Sequence, residues 1–216
     1  MTVPRIFLLS PAHCGGKRAA ILLNERAAFP LAQRFRSAGL TIGEAFSFLS
    51  GLYFRGKLTY AGRFAQPPAG YAGVQVITTN RGLVTADLRV RPEDLLAFGS
   101  VNIGVHAADY RDPLQRDLAQ LQQIPDLEIV LLGSVATSKY VDVLLDVMGE
   151  RVLFPVEFVG RGDMSRGALL LRAAEEGREL AYAPVAGAVR RGRRPPKLAP
   201  RPSPGSALWR PQTTGE

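Results

Sequence analysis

The sequence predicts an α/β fold, with a mostly parallel central sheet of about five strands and helices on both faces. Two observations predict it. Five short runs are apolar almost without a break, as expected of strands covered on both faces. Between them lie stretches with apolar residues at helical spacing. From residue 74 onward strands and helices therefore alternate, and such alternation calls for parallel strands joined by crossover helices.

The first strand is Arg5–Leu9, which breaks at Ser10-Pro11. The others are 74–78, 101–105, Glu128–Leu132 and 152–156. Each helix carries its own start or stop signal. Thr41-Ile-Gly-Glu44 has the form of a capping box ahead of the apolar stretch 45–52. Pro92 opens a helix over 92–98, and Pro113 opens one over 113–123 with Asp112 as its N-cap. The pattern over 135–148 stops at Gly149, and that over 164–176 stops at Gly177. Residues 66–73 form a Pro/Gly loop. Length and a 46% hydrophobic content favour a single domain over residues 1–187.

Charge is unevenly spread. The net charge is +8, and residues 188–216 hold seven basic residues against Glu216, a net +6 that leaves +2 for the rest. This Arg/Pro-rich tail cannot bury a core and is expected to be disordered. It can hold an anionic polymer without sequence preference or simply stay solvated. No apolar run approaches the roughly 20 residues of a membrane span, and 6–9 is too short for a secretory leader. Cys14 is the only cysteine, so an internal disulfide is excluded and a reducing, cytoplasmic setting is expected. With two histidines and one cysteine, a Cys/His zinc site is not expected, and no cofactor is indicated.

Ligands of open parallel sheets bind beyond the carboxyl ends of the strands. The turns there are polar or glycine-rich. The first is Ser10-Pro-Ala-His13-Cys14-Gly15-Gly16-Lys17-Arg18. Thr78, Thr79, Asn80 and Arg81 follow the second strand, and His106, Asp109 and Tyr110 follow the third. Gly133, Ser134, Thr137, Ser138, Lys139 and Tyr140 follow the fourth, and Gly160–Gly167 follows the last. The first turn can offer backbone amides, a helix N-terminus and Lys17 to an anion. It is not a Walker A loop, because Pro11 and Arg18 stand where glycine and Ser/Thr are required. Cys14 beside a helix start is expected to have a lowered pKa, which would make it a nucleophile, although a lone cysteine is more commonly a small buried residue.

In the last turn, Asp163 is placed to cap the following helix, while Arg161 and Arg166 can grip phosphate or carboxylate or pair with Asp163. Ser165 lies between them. Gly133-Ser134 lacks the G-x-S-x-G frame of a nucleophile elbow and is read as a source of backbone donors, with Lys139 and Tyr140 nearby. In 48–57, most apolar side chains belong to the core, while Ser50, Tyr53, Arg55 and Lys57 can reach a site. His13 and His106 have no partner in sequence, so acid/base work falls to Asp163 or a tyrosine.

Three segments, in this order, resemble the YaaA family of bacterial peroxide-stress proteins and a broader group of related bacterial proteins. They are Leu8-Leu-Ser-Pro-Ala12, Leu49-Ser-Gly-Leu-Tyr53 and Arg161-Gly-Asp-Met-Ser-Arg166. Gly133 and Tyr140 match the strand-end glycine and tyrosine-bearing helix of the relatives. The resemblance implies a stress-linked role in DNA binding or nucleic-acid protection. The chain departs from that pattern in being shorter between the first two segments and in having a nearly charge-balanced body.

Two functions are therefore expected. One is a nucleic-acid-associated protein whose Lys17, Arg18, Arg161, Arg166 and tail contact phosphates. The alternative is an enzyme acting on a nucleotide, nucleobase or other small anionic substrate, with Ser10, Cys14, Ser50, Tyr53, Ser134, Asp163 and Arg166 around one pocket. A third class is an interaction protein whose tail docks on an acidic partner. The first two require the glycine-bearing turns to meet at one rim.

Overall fold

The structure is a computed structural model that describes residues 3–101, 107–135, 138–196 and 198–199. In chain order the elements are β1 (Arg5–Leu9), α1 (Lys17–Leu23), α2 (Pro30–Ala38), β2 (Leu40–Thr41), α3 (Ile42–Ser50), α4 (Leu52–Phe64), β3 (Val74–Ile77), β4 (Leu83–Thr85), β5 (Arg89–Val90), α5 (Pro92–Ser100), α6 (Ala108–Gln122), β6 (Glu128–Leu132), α7 (Ser138–Met148), β7 (Val152–Pro155), α8 (Asp163–Glu176) and β8 (Tyr182–Pro184).

Among the described residues the main sheet has six strands in the order β4-β3-β1-β6-β7-β8. The inner four are mutually parallel, and β4 and β8 are antiparallel edges. β1 is central, pairing over its whole length with β6, from Arg5 opposite Glu128 to Leu9 opposite Leu132. Its alternate side chains separate two cores. Phe7 and Leu9 pack on the face covered by α1–α5 and α8, while Ile6 and Leu8 pack on the face covered by α6 and α7. A two-stranded ribbon, β2 with β5, lies apart from the main sheet.

The α/β class and the mostly parallel sheet agree with the sequence, and four of the five expected strands are present within one residue. The remaining one, 101–105, lies outside the described residues except for Val101, which ends α5. The strict alternation expected from residue 74 does not hold. β3 instead turns back at Gly82 into the antiparallel β4.

Two helix ends follow local chemistry closely. The Thr41 capping box forms: Thr41 Oγ1 accepts from the Glu44 amide at 3.1 Å, and the Glu44 carboxylate accepts from the Thr41 amide at 2.9 Å. Thr41→Ala should therefore destabilise the protein by about 1 kcal/mol, measured by urea denaturation. Gly177 stops α8 in the left-handed conformation at φ 65.

Asp112 and Pro113 are corrected. They lie inside α6, which starts five residues before Pro113. Burial of Tyr110 in register with Leu114, Leu118 and Leu121 extends the helix upstream, so packing overrides the proline signal. Asp163 is corrected likewise. It is the first helical residue of α8 rather than its cap, which is Gly162 without a side-chain bond.

One helix contact positions the site. α4 and α8 meet backbone to backbone at two glycines. A Cβ on Gly56 would lie 2.6 Å from the Gly167 carbonyl oxygen, and one on Gly167 would lie 2.7 Å from the Leu52 carbonyl oxygen and the Tyr53 Cα. This approach sets Tyr53 and Lys57 of α4 beside Arg166 of α8.

The described part of the tail, 188–196 with 198–199, contains no helix or strand. Its Arg193 carbonyl passes against Gly160, and Leu198 packs at the edge of the core. No helix among the described residues is long and apolar enough to cross a membrane.

Candidate functional site

The strand order defines where a ligand can sit. From β1 the chain moves to β3 on one side, and from β6 it moves to β7 on the other. The connections therefore diverge between the carboxyl ends of β1 and β6, which opens a crevice there. Ser10 and Gly133, the residues that follow these two strands, meet at that point. A Cβ on Gly133 would lie 2.9 Å from the Ser10 Cβ, so only glycine leaves room for the serine. The Ser10 amide donates to the Leu132 carbonyl at 3.2 Å.

A cleft of about 490 Å³ opens beside this point. Pro11–Gly15 after β1, Thr79 after β3, Phe98–Val101 at the end of α5, and Lys139 and Tyr140 of α7 line it. Its volume falls within the range of small-molecule sites.

Next to Ser10 lies a buried cation cluster. Lys57 is 1% exposed. Its Nζ donates to the Ser10 carbonyl oxygen at 2.6 Å and to Ser10 Oγ at 3.1 Å. It also sits 4.6 Å from the Tyr53 ring centre and 4.7 Å from that of Phe54. Burial pulls its pKa down to about 7, against a smaller raising effect from the Asp163 charge. Arg166, also buried, donates through Nε and Nη2 to the Phe158 carbonyl at 3.3 and 3.2 Å and pairs with Asp163 at 3.6 Å.

Tyr53 is 5% exposed, and its hydroxyl is buried beside the Arg166 guanidinium. Burial raises its pKa, so it stays a neutral donor. The charge of Asp163 acts on Lys57, Tyr53 and Tyr140 alike. Through Tyr140 the cluster borders the cleft.

Of the residues singled out in the sequence, Ser10, Tyr53, Lys57, Gly133, Tyr140, Asp163 and Arg166 come together. His13, Cys14 and Lys139 line the cleft. Ser134 follows Gly133 and is half-buried. Arg161 and Ser165 turn elsewhere: Arg161 donates to the Glu157 carbonyl, Ser165 Oγ and the Pro196 carbonyl, on a separate groove beside the tail. Lys17 is solvated at the start of α1. Arg18, Ser50 and Arg55 line an apolar depression across α3 and α4, where Arg18 donates to the Phe48 carbonyl. Thr78 and Arg81 hold the β3–β4 turn and α5 in place, through Gly82 and Asp94. His106 and Thr137 lie outside the described residues.

The reactive-thiol expectation for Cys14 is overturned. Burial pushes its pKa up to about 12, and the thiol donates to the Ala12 carbonyl. It precedes α1 by three residues and faces Gly99 of α5, so it is desolvated without the benefit of a helix start.

The wall formed by Phe98, Gly99 and Ser100 has no signal in the sequence beyond a glycine near a helix end. Gly99 is small so that α5 can approach Cys14, with an added Cβ only 3.3 Å from the Cys14 carbonyl oxygen.

Comparison of the chain with protein-family models, with curated proteins and with solved structures finds no match. The fold and site thus define a class only: an α/β protein with a crevice between β1 and β6, flanked by a buried Lys–Arg cluster.

Proposed function

We propose that the protein is an enzyme that binds a small anionic substrate, of the nucleotide or nucleobase class, in the crevice between β1 and β6. The observation that carries this reading is the buried charge at the crevice. Lys57 and Arg166 lie out of water, and the carboxylate whose charge reaches them, Asp163, has a side chain that is 69% exposed. A buried guanidinium so thinly compensated, beside an amine that burial brings to neutrality near pH 7, favours an anionic guest. The Tyr140 ring suits a planar base, and Lys139 suits a phosphate at the rim. A cytoplasmic setting, where nucleotides abound, fits the single unpaired cysteine.

Thermal unfolding with a panel of nucleoside monophosphates, free bases and inorganic phosphate tests this. At 100 times Kd a ligand adds about 2.7 kcal/mol, so at least one compound should raise Tm by several degrees. Tyr140→Ala should abolish the shift. A panel that leaves Tm unmoved would overturn the reading.

A second reading is a nucleic-acid-associated, stress-linked role, and one observation favours it. Arg161, Arg172 and Arg194 line one groove between α8 and the tail, with no carboxylate among its lining residues. Binding to duplex DNA should then weaken with salt and lose slope by about 1 for each arginine removed. An Arg172→Ala, Arg194→Ala double variant with an unchanged slope would refute it.

A further inference from the structure

We propose that Ser10 and Lys57 form a nucleophile–base pair that cleaves an acyl group carried on a small anionic molecule. This rests on the crevice reading above and gives it a reaction. The geometry is that of an activated hydroxyl: Ser10 Oγ lies 3.1 Å from Lys57 Nζ, within proton-transfer reach. Ser10 follows β1 where the crevice opens, and its immediate successors, Pro11 and Ala12, line the cleft. Gly133 packs against the hydroxyl, where an added Cβ would lie 3.1 Å from Ser10 Oγ.

The amine must be neutral to act as a base, and its surroundings favour that form. Lys57 is enclosed by Tyr53 and Phe54 of its own helix, Ser10 of the β1 end, and Asp163 on α8 as the charged group that acts on it. Burial brings it to neutrality near pH 7. A lysine placed here serves packing poorly. An aliphatic side chain would fill the same apolar space without desolvating an amine but would give the Ser10 hydroxyl no base.

The step balances as follows. Lys57 Nζ takes the proton from Ser10 Oγ–H as Oγ bonds to the acyl carbon, and the carbonyl oxygen becomes an oxyanion. The neutral Tyr53 hydroxyl and the neighbouring Arg166 guanidinium are the donors in this cluster that can stabilise it. The bond from carbon to the leaving group breaks, and the leaving group receives the proton held by Lys57. Water then attacks the acyl-serine, with Lys57 again taking and returning a proton, and releases the carboxylic acid. This assigns Ser10 as the nucleophile, Lys57 as the base and an anionic ester or thioester as the substrate class.

The test uses the full chain and a small fluorophosphonate, which forms a bond from Ser10 Oγ to phosphorus as fluoride leaves. Intact-mass and peptide mapping should find one adduct on Ser10. Its rate should rise about tenfold per pH unit below pH 7 and level off above. Lys57→Met should slow labelling at least a hundredfold, with circular dichroism and thermal melting showing a folded variant. Ser10→Ala should lose the adduct. Absence of any Ser10 adduct on folded wild-type protein overturns the proposal, as does a Lys57→Met variant that labels at the wild-type rate. The two readings separate cleanly. A nucleotide-induced Tm shift without a Ser10 adduct removes the pair and keeps the crevice as a binding site. An adduct without any nucleotide shift keeps the pair and removes the nucleotide class.

Discussion

Gly167→Ala is expected to remove about 3 kcal/mol of stability, the upper end of what an added methyl costs in a packed interior. That corresponds to a fall in Tm of roughly 6–12 °C for a domain of this size. A Cβ there meets backbone on every side, at 2.7 Å from both the Leu52 carbonyl oxygen and the Tyr53 Cα. Backbone cannot rotate away as a flexible side chain would, so α8 must move off α4. Gly56→Ala should behave alike, because its Cβ would meet the Gly167 carbonyl oxygen. Gly62→Ala on the same α4 is the control. Nothing lies within 4 Å of its Cβ, and alanine is the better helix former by up to about 1 kcal/mol. The function should follow the packing, since the shift separates Tyr53 and Lys57 from Arg166. A Gly167→Ala protein that melts with the wild type would show that α4 and α8 are not held this closely.

The same pair of glycines shows why the sequence reveals the fold more readily than the site. β1 and β6 are legible because a strand buried on both faces leaves an unbroken apolar run, and α3 is legible because its capping box is a local chemical pattern. The edge strands β4 and β8 are three residues each and half-exposed, too short to stand out from a loop. Pro113 misleads because its local signal is weaker than the burial of Tyr110 upstream.

At the site, the meeting of Ser10 and Gly133 follows from strand order, which no single stretch of sequence encodes. Lys57 reads only as one of several residues of 48–57 that can reach a site, because its burial depends on α8 lying across α4. Cys14 reads as activated because a helix begins nearby, whereas its environment is set by Gly99 at the end of α5, far along the chain. Local signals thus place the turns, and long-range packing decides which side chains in them face a ligand.

Lys57→Met is expected to change how stability depends on pH. In the folded protein the Lys57 pKa is about 7, against 10.5 for an ordinary lysine. Between those values the unfolded chain holds a proton that the folded chain does not, so the free energy of unfolding rises with pH across that window. Lysine's contribution is fully present above 10.5 and is lost as pH falls to about 7. The slope is about 1.4 kcal/mol per pH unit, and methionine has no such slope.

Cys14, Tyr60 and other buried tyrosines pull the opposite way at high pH, because their raised pKa values make the unfolded chain lose protons first. The quantity to follow is therefore the difference between wild type and variant. Between pH 7.5 and 9 that difference should shift by roughly 2 kcal/mol in favour of the wild type. Near pH 7 methionine removes the desolvated amine but strips the Ser10 carbonyl of its donor, a loss of about 1–3 kcal/mol, so the two proteins should lie close together there. Urea titrations at matched ionic strength measure it. Parallel curves across that window would mean that the Lys57 amine carries its proton in the folded protein, and Ser10 would then have no base.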